Sequence, residues 1–348
     1  MAGISLSATA LSPYLLAKNK KKLGVALVGL GYYSTDLLAP ALQLTNSCYL
    51  SGIVTGTPEK AEKWKRKYNI PDNNIYNYQN FDSIANNPDI DIVYVVLPTS
   101  MHAEFTIRAA NAGKHVWCEK PMAVTELECQ KMINACNENK VKLSIGYRMQ
   151  HEPNTRKIIN YRKNNTFGAI NLVQSAAGYY DGRTDHWKFD KEMGGGAMYD
   201  MGVYPLNACR YVTGEEPISV MAQQFTNRPD IFNEVDETTL FQLEFPSGAL
   251  ANCTASFGMN VNNLQVTCNN GWYKLNPFQA YSGIRGSASN GEILDKKIPN
   301  QQALQMDNDA QSILNDTAVL VPGTEGLKDI RVVEAIYKSS KEGKVISL

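Results

Sequence analysis

Residues 23–34, LGVALVGLGYYS, decide the fold. Leu23 to Val28 is a short apolar run of strand-forming residues, ending in Gly29-Leu30-Gly31 before a helical stretch that reaches about Leu44. Glycines at the first two positions of G-x-G-x-x-S permit a tight turn. They also let the backbone approach a pyrophosphate, whose charge then meets a helix N-terminus. Tyr32 and Tyr33 fill the variable positions, and Ser34, in place of a third glycine, is small enough for helix–strand packing. Alone the motif is weak; its force comes from standing at the first strand-to-helix turn of an alternating series.

That series runs outward from the turn. Tyr49 to Val54 reads as a strand and Glu59 to Tyr68 as a charged helix. Ile92 to Leu97, IVYVVL, is a continuous apolar strand of the kind buried on both faces of a parallel sheet. His102 to Ala112 is helical, His115 to Cys118 a strand, Glu126 to Asn137 a helix, and Val141 to Ile145 closes the run. The expectation is α/β: a doubly wound parallel sheet of the Rossmann type over 22–148.

Beyond Arg148 the rhythm changes. A helix near Pro153 to Arg162 leads to a strand around Ile170 to Ala177, and a second helix is expected over Gly195 to Tyr211. Phe241, Leu243 and Phe245 alternate with Gln242 and Glu244, and Pro246-Ser247-Gly248 turns the chain into Ala249 to Ala255. Residues 218–275 read as a mostly antiparallel open sheet, and helices at Gln301 to Leu314 and Leu327 to Lys341 finish the chain. Residues 149–348 are therefore an α+β domain for substrate and self-association, with one sheet face left for another subunit.

A chain of 348 residues is long for a single core, in keeping with two domains. Its formal net charge is zero, which gives no reason to expect nucleic acid. The seven cysteines are scattered, none in C-x-x-C spacing or grouped with the four histidines, so neither a disulfide framework nor a metal site is expected. Residues 1–21 differ from the rest: AGISLSATALSPYLLA (2–17) is small and apolar, followed by Lys18, Lys20, Lys21 and Lys22. The stretch is too short and Ser-rich to span a bilayer. Read as a truncated export signal it places the mature protein in the periplasm. Read as an N-terminal arm it leaves the protein in the cytoplasm.

Two regions carry chemistry. At the end of the second strand an NAD site usually places Asp or Glu against the ribose 2′-hydroxyl. Here Thr55, Gly56 and Thr57 stand instead, with Lys60 just inside the next helix, which favours NADP over NAD. Glu119-Lys120-Pro121 follows a parallel strand at its carboxyl end, where ligands of open α/β sheets bind. Gly194-Gly195-Gly196 precedes a helix bearing Asp200 and Tyr204, whose i, i+4 spacing puts both on one face. A carboxylate, a phenol and an ammonium beside a nicotinamide are suited to moving a hydroxyl proton, with Lys120 lowering the phenol's pKa.

These residues resemble the glucose–fructose oxidoreductase / inositol dehydrogenase / rhizopine-catabolism (Gfo/Idh/MocA) family. The resemblance rests on the glycine turn, AGKHVWCEKP (112–121), GGGAMYDMGVY (194–204) and GYRMQHEP (146–153). GEEP (214–217) and PGTEGLKDIRVVEAIYKSSKEGK (322–344) also fit, and the whole is similar to the glucose–fructose oxidoreductase branch. It implies that Lys120, Asp200 and Tyr204 are catalytic and also meet the substrate, and that Leu97, Pro98, Thr99 and His102 line the nicotinamide ribose. It further implies that Glu119, Arg148 and Trp187 lie at the cofactor, with Arg148 also at the sugar. Lys188 stands where an arginine is common and is left out of the site. The expected activity is hydride transfer between NADP and a sugar or polyol, in the manner of an enzyme that couples aldose oxidation to ketose reduction. The alternatives are a simple aldose dehydrogenase or ketose reductase, or an NAD-dependent glycoside hydrolase. A homodimer or homotetramer through the second sheet, and no membrane partner, complete the reading.

Overall fold

A computed structural model describes residues 20–348; the arm or export-signal stretch, apart from its last residues, lies outside the described residues. Six strands, β1 (Leu23–Val28), β2 (Cys48–Val54), β3 (Ile75–Tyr76), β4 (Ile92–Val95), β5 (His115–Cys118) and β6 (Leu143–Ile145), form one sheet. Its order is β3-β2-β1-β4-β5-β6 and every pairing is parallel. β1, β4 and β5 are buried at every position, which is why their sequences run apolar without alternation. Local chemistry sets several helix starts: Pro58 and Pro153 stand in first turns, and Thr125 and Glu128 form a capping box on Glu126–Glu138.

The second sheet is larger than the sequence pattern suggests. Its strands are β7 (Ile170–Gly178), β8 (Ser219–Phe225), β9 (Thr238–Glu244), β10 (Leu250–Ser256), β11 (Val261–Cys268), β12 (Gly271–Leu275), β13 (Gly286–Ala288), β14 (Ile293–Leu294) and β15 (Ile346–Ser347). They lie in the order β14-β13-β12-β11-β7-β10-β9-β8-β15. Only β7 and β10 pair in parallel; the expected hairpin joins β9 to β10, with Leu250 opposite Glu244.

Two helices that face the space between the sheets begin irregularly. Tyr33–Leu38 and Met198–Gly202 are π turns, followed by Pro40 and Pro205. A proline has no N–H for the preceding turn, and the widened turn removes the need for one. The expected helix over Gly195 to Tyr211 therefore starts at Met198, and its regular part is Val203–Thr213.

Helix Gln301–Leu314 returns from the second half to the first sheet. There the Asp307 carboxylate accepts the Asn46 and Ser47 N–H groups at 2.9 and 2.8 Å. Two residues on, Asp309 is completely buried, and neither carboxyl oxygen has a hydrogen-bond partner of good geometry among the described residues. Burial pushes its carboxyl up to about 7, with only the Ser144 and Gln305 side chains nearby to oppose it. His115 and His151, also buried, are pushed the other way, to about 4 and about 3. No described helix is long and apolar enough to cross a membrane.

Candidate active site

A cavity of about 1000 Å³ opens between the carboxyl ends of β1, β4 and β5 and the second sheet. Its floor is the glycine turn. Gly29 has φ +91°, and a Cβ there would collide with the Val96 carbonyl, so only glycine fits. At Gly31 a Cβ would meet nothing within 4 Å, so the backbone faces open space, as a phosphate cradle requires. Tyr32 lines the cavity but is largely exposed, and Tyr33 leans on Tyr281 with ring centroids 5.9 Å apart. Ser34 is buried beneath the turn and donates to the Gly29 carbonyl at 2.6 Å. It braces the loop and does not face the cavity.

Thr55, Thr57 and Lys60 line one end, and the Thr55 hydroxyl accepts the Thr57 N–H at 3.2 Å. Gly56 stands behind Tyr78 and is not part of the lining. Leu97, Pro98 and Thr99 form a wall, with Thr99 packed against Gly194. His102 is held between the Pro121 and Leu97 carbonyl oxygens, each 2.8 Å from a ring nitrogen. Burial pushes its pKa down. It ties the segment after β4 to the Pro121 carbonyl, so its polar atoms serve the wall and leave none for a ligand. Glu119 is buried too: it accepts the Tyr94 hydroxyl at 2.6 Å, and burial raises its pKa. Trp187 lines the outer part of the cavity.

Lys120, Arg148, Asp200 and Tyr204 converge. The Lys120 ammonium donates to the Asp200 carbonyl at 2.8 Å and to its carboxylate at 3.3 Å, and lies 4.6 Å from the Tyr204 ring centroid. Arg148 is 2% exposed, donates from Nη1 to the Tyr204 hydroxyl at 2.9 Å, and stacks 4.8 Å from the Tyr281 ring centroid. Its buried Nη2 has no partner among the described residues and remains available to a ligand oxygen. Burial alone would raise the Tyr204 phenol, but the Arg148 and Lys120 charges outweigh it and leave its pKa below the ordinary 10.0. Asp200 is likewise pushed up by burial and pulled further down by Lys188 and Lys120, ending well below the usual carboxylate range.

Lys188 corrects the sequence reading, which set it aside. Its ammonium donates to the second Asp200 carboxylate oxygen at 2.6 Å and to the Tyr179 hydroxyl at 3.3 Å. Its carbonyl accepts the Gly196 N–H at 2.8 Å, folding the loop back so that the ammonium reaches Asp200. Three consecutive glycines were a usable signal of this close approach: at Gly195 a Cβ would collide with that same carbonyl. Tyr179 and Tyr281 reach the cavity from strand-end and loop positions that no local motif marks.

The open cradle at Gly31 and the hydroxyl and ammonium donors at Thr55, Thr57 and Lys60 fit a dinucleotide, with Lys120, Arg148 and Tyr204 left for the reacting group. Residues 23–147 match the GFO_IDH_MocA model, described as an oxidoreductase family with an NAD-binding Rossmann fold. Residues 155–274 match the GFO/IDH/MocA C-terminal domain. The chain is similar to the crystal structure of an aldose-aldose oxidoreductase from Caulobacter crescentus complexed with glycerol. The two are 41% identical with a TM-score of 0.91, covering 94% of this chain and 100% of that one. D-xylose 1-dehydrogenase [NADP(+)] of Haloarcula marismortui is 28% identical, covering 93% of this chain and 92% of that protein. The apo scyllo-inositol dehydrogenase of Lactobacillus casei, at 19% identity and TM-score 0.77, shares the fold over 94% of this chain and 98% of its own.

Proposed function

The chain belongs to the GFO/IDH/MocA oxidoreductase family, and we propose that within it this protein uses NADP to oxidise an aldose at its anomeric hydroxyl and to reduce a second sugar carbonyl. The observation that carries the reading is Tyr204, a buried phenol touched by Arg148 and flanked by Lys120 at the bottom of a cavity that admits a dinucleotide. The likeness to an aldose-aldose oxidoreductase supports a sugar at both ends of the cycle. The absence of a carboxylate at Thr55, together with Lys60, supports the 2′-phosphate, as does the name of the xylose dehydrogenase relative.

NADP, when bound, supplies the carbon centre that accepts the hydride in one half-reaction and returns it in the other. Tyr204 as phenolate takes the anomeric hydroxyl proton while the C–O bond becomes a carbonyl. As phenol it gives that proton to the carbonyl oxygen of the second sugar. Lys120 and the free Nη2 of Arg148 hold the negative charge that develops on the reacting oxygen. Asp200 orients Lys120 through two contacts.

The test is to denature the purified protein, assay the supernatant for NADP, and offer the folded protein pairs of sugars without added cofactor. Retained NADP and ping-pong kinetics are expected. A protein that needs free NADP for each turnover is a simple aldose dehydrogenase, the second reading, which the xylose dehydrogenase relative favours. Tighter binding of NAD than NADP overturns the cofactor assignment.

A further inference from the structure

We propose that Lys188 is a positioning residue that occupies half of Asp200 so that Lys120 keeps charge to spare for the Tyr204 phenolate. The inference rests on the proposed acid/base role of Tyr204.

Charged and titratable groups reach Tyr204 from every neighbouring element. Glu119 and Lys120 come from the end of β5, Arg148 from the turn Arg148–Gln150, and Asp200 from its own helix. Tyr33 comes from the glycine turn and Tyr281 from the loop between β12 and β13. Tyr179, Asp181, Arg183, His186 and Lys188 come from the chain after β7. Asp181 and Arg183 are matched to each other, the Arg183 Nε donating at 2.8 Å. Burial pushes His186 down, away from its charged form.

Three cations remain, Lys120, Arg148 and Lys188, against two carboxyl groups, Asp200 and Glu119. One cationic charge is unmatched, and a phenolate is the group in contact with two of the three cations. Geometry shows how Lys188 preserves that excess. It takes Oδ2 of Asp200 at 2.6 Å, while Lys120 reaches Oδ1 only at the longer 3.3 Å. Without Lys188, the charges of Asp200 and Glu119 together would offset those of Lys120 and Arg148, and the phenolate would face no excess of cation. An ammonium and a guanidinium serve equally as the unmatched charge, so arginine at this position should do the same work.

The ionisation of Tyr204 can be read without turnover, as the ultraviolet difference absorbance of tyrosinate between a protein and its Tyr204→Phe counterpart. Lys188→Met should raise the Tyr204 midpoint by about one pH unit, and Lys188→Arg should return it to the wild-type value. The acid limb of the kcat profile should move in step while KM for the sugar changes little. Lys188 is partly exposed, and Lys188→Gln, which keeps a polar side chain, gives a second reading of the same loss. An unmoved midpoint in Lys188→Met and Lys188→Gln, or a failure of Lys188→Arg to restore it, overturns the proposal. Full turnover in Tyr204→Phe would instead overturn the acid/base role, and the titration would still judge the charge relation by itself.

Discussion

Tyr204 has 8% of its surface exposed, yet its phenol is held below its ordinary pKa because two cations meet it where water does not. A phenol shifted in this direction gives up its proton more readily and can serve in turn as base and acid. Replacing it with phenylalanine removes the proton path but leaves the glycine turn and the Thr55 end intact. Turnover should fall by about 10²–10⁴-fold, with cofactor affinity nearly unchanged by fluorescence titration. More than about a tenth of wild-type turnover would assign the proton to another residue. At this scale the sequence exposes what a motif carries on its own spacing: Lys120 at a strand end, Asp200 and Tyr204 one turn apart. It does not tell which way a motif residue faces. Ser34 and Gly56 sit inside legible motifs yet turn away from the cavity. Lys188 was passed over for differing from arginine, although charge is what Asp200 meets.

The turn Gly194–Gly196 and the π turn after it place Asp200. The buried Asp236 carboxylate anchors that junction, accepting the Met198 N–H at 2.8 Å, the Thr239 hydroxyl at 2.7 Å and the Tyr337 hydroxyl at 2.6 Å. Gly196 has φ +111°, and a Cβ there would collide with Asp236 itself. Gly196→Ala should destabilise the protein by about 1–3 kcal/mol in urea denaturation and lower kcat as Asp200 shifts. Wild-type stability and turnover would show that the turn is not under this constraint. The alternating strands of the first half are readable because burial on both faces leaves an unbroken apolar run. The parallel pairing of β7 with β10 is not, since nothing local in Ile170–Gly178 names a partner so far along the chain. The π turns are equally silent in hydrophobic pattern, although Pro40 and Pro205 mark where they are needed.

Across the whole molecule, helices Val203–Thr213 and Gly323–Glu342 pack on one face of the nine-stranded sheet, and among the described residues no helix covers the other. Its outward positions, among them Gln174, Gln223, Leu240, Gln242 and Asn252, make a flat mixed surface rather than an apolar one. We expect it to pair with a second copy; light scattering at micromolar concentration should give a dimer or tetramer, and Leu240→Lys should favour the monomer. Asp309 sets a different property of the whole. Its folded pKa of about 7 lies above its ordinary 3.8, so the folded chain keeps a proton that the unfolded chain releases between about pH 4 and 7. This contribution to stability falls as pH rises through that window. Glu119, Asp236 and Asp329, also raised by burial, act in the same sense. His102, His115, His151 and His186 are all lowered, so below about 6.5 the unfolded chain takes up protons that the folded one refuses. Their contribution falls as pH drops. The two sets trade protons with solvent in opposite directions, so each offsets part of the other's pH dependence. Asp309→Asn should shift that balance: relative to wild type, urea midpoints should climb with pH by the equivalent of about 1.4 kcal/mol per unit up to pH 7. Parallel curves would mean that Asp309 exchanges no proton on unfolding. Under the proposed function the product is a sugar lactone, whose hydrolysis releases acid, and opposed proton exchange of this kind limits the change in stability that such acid causes.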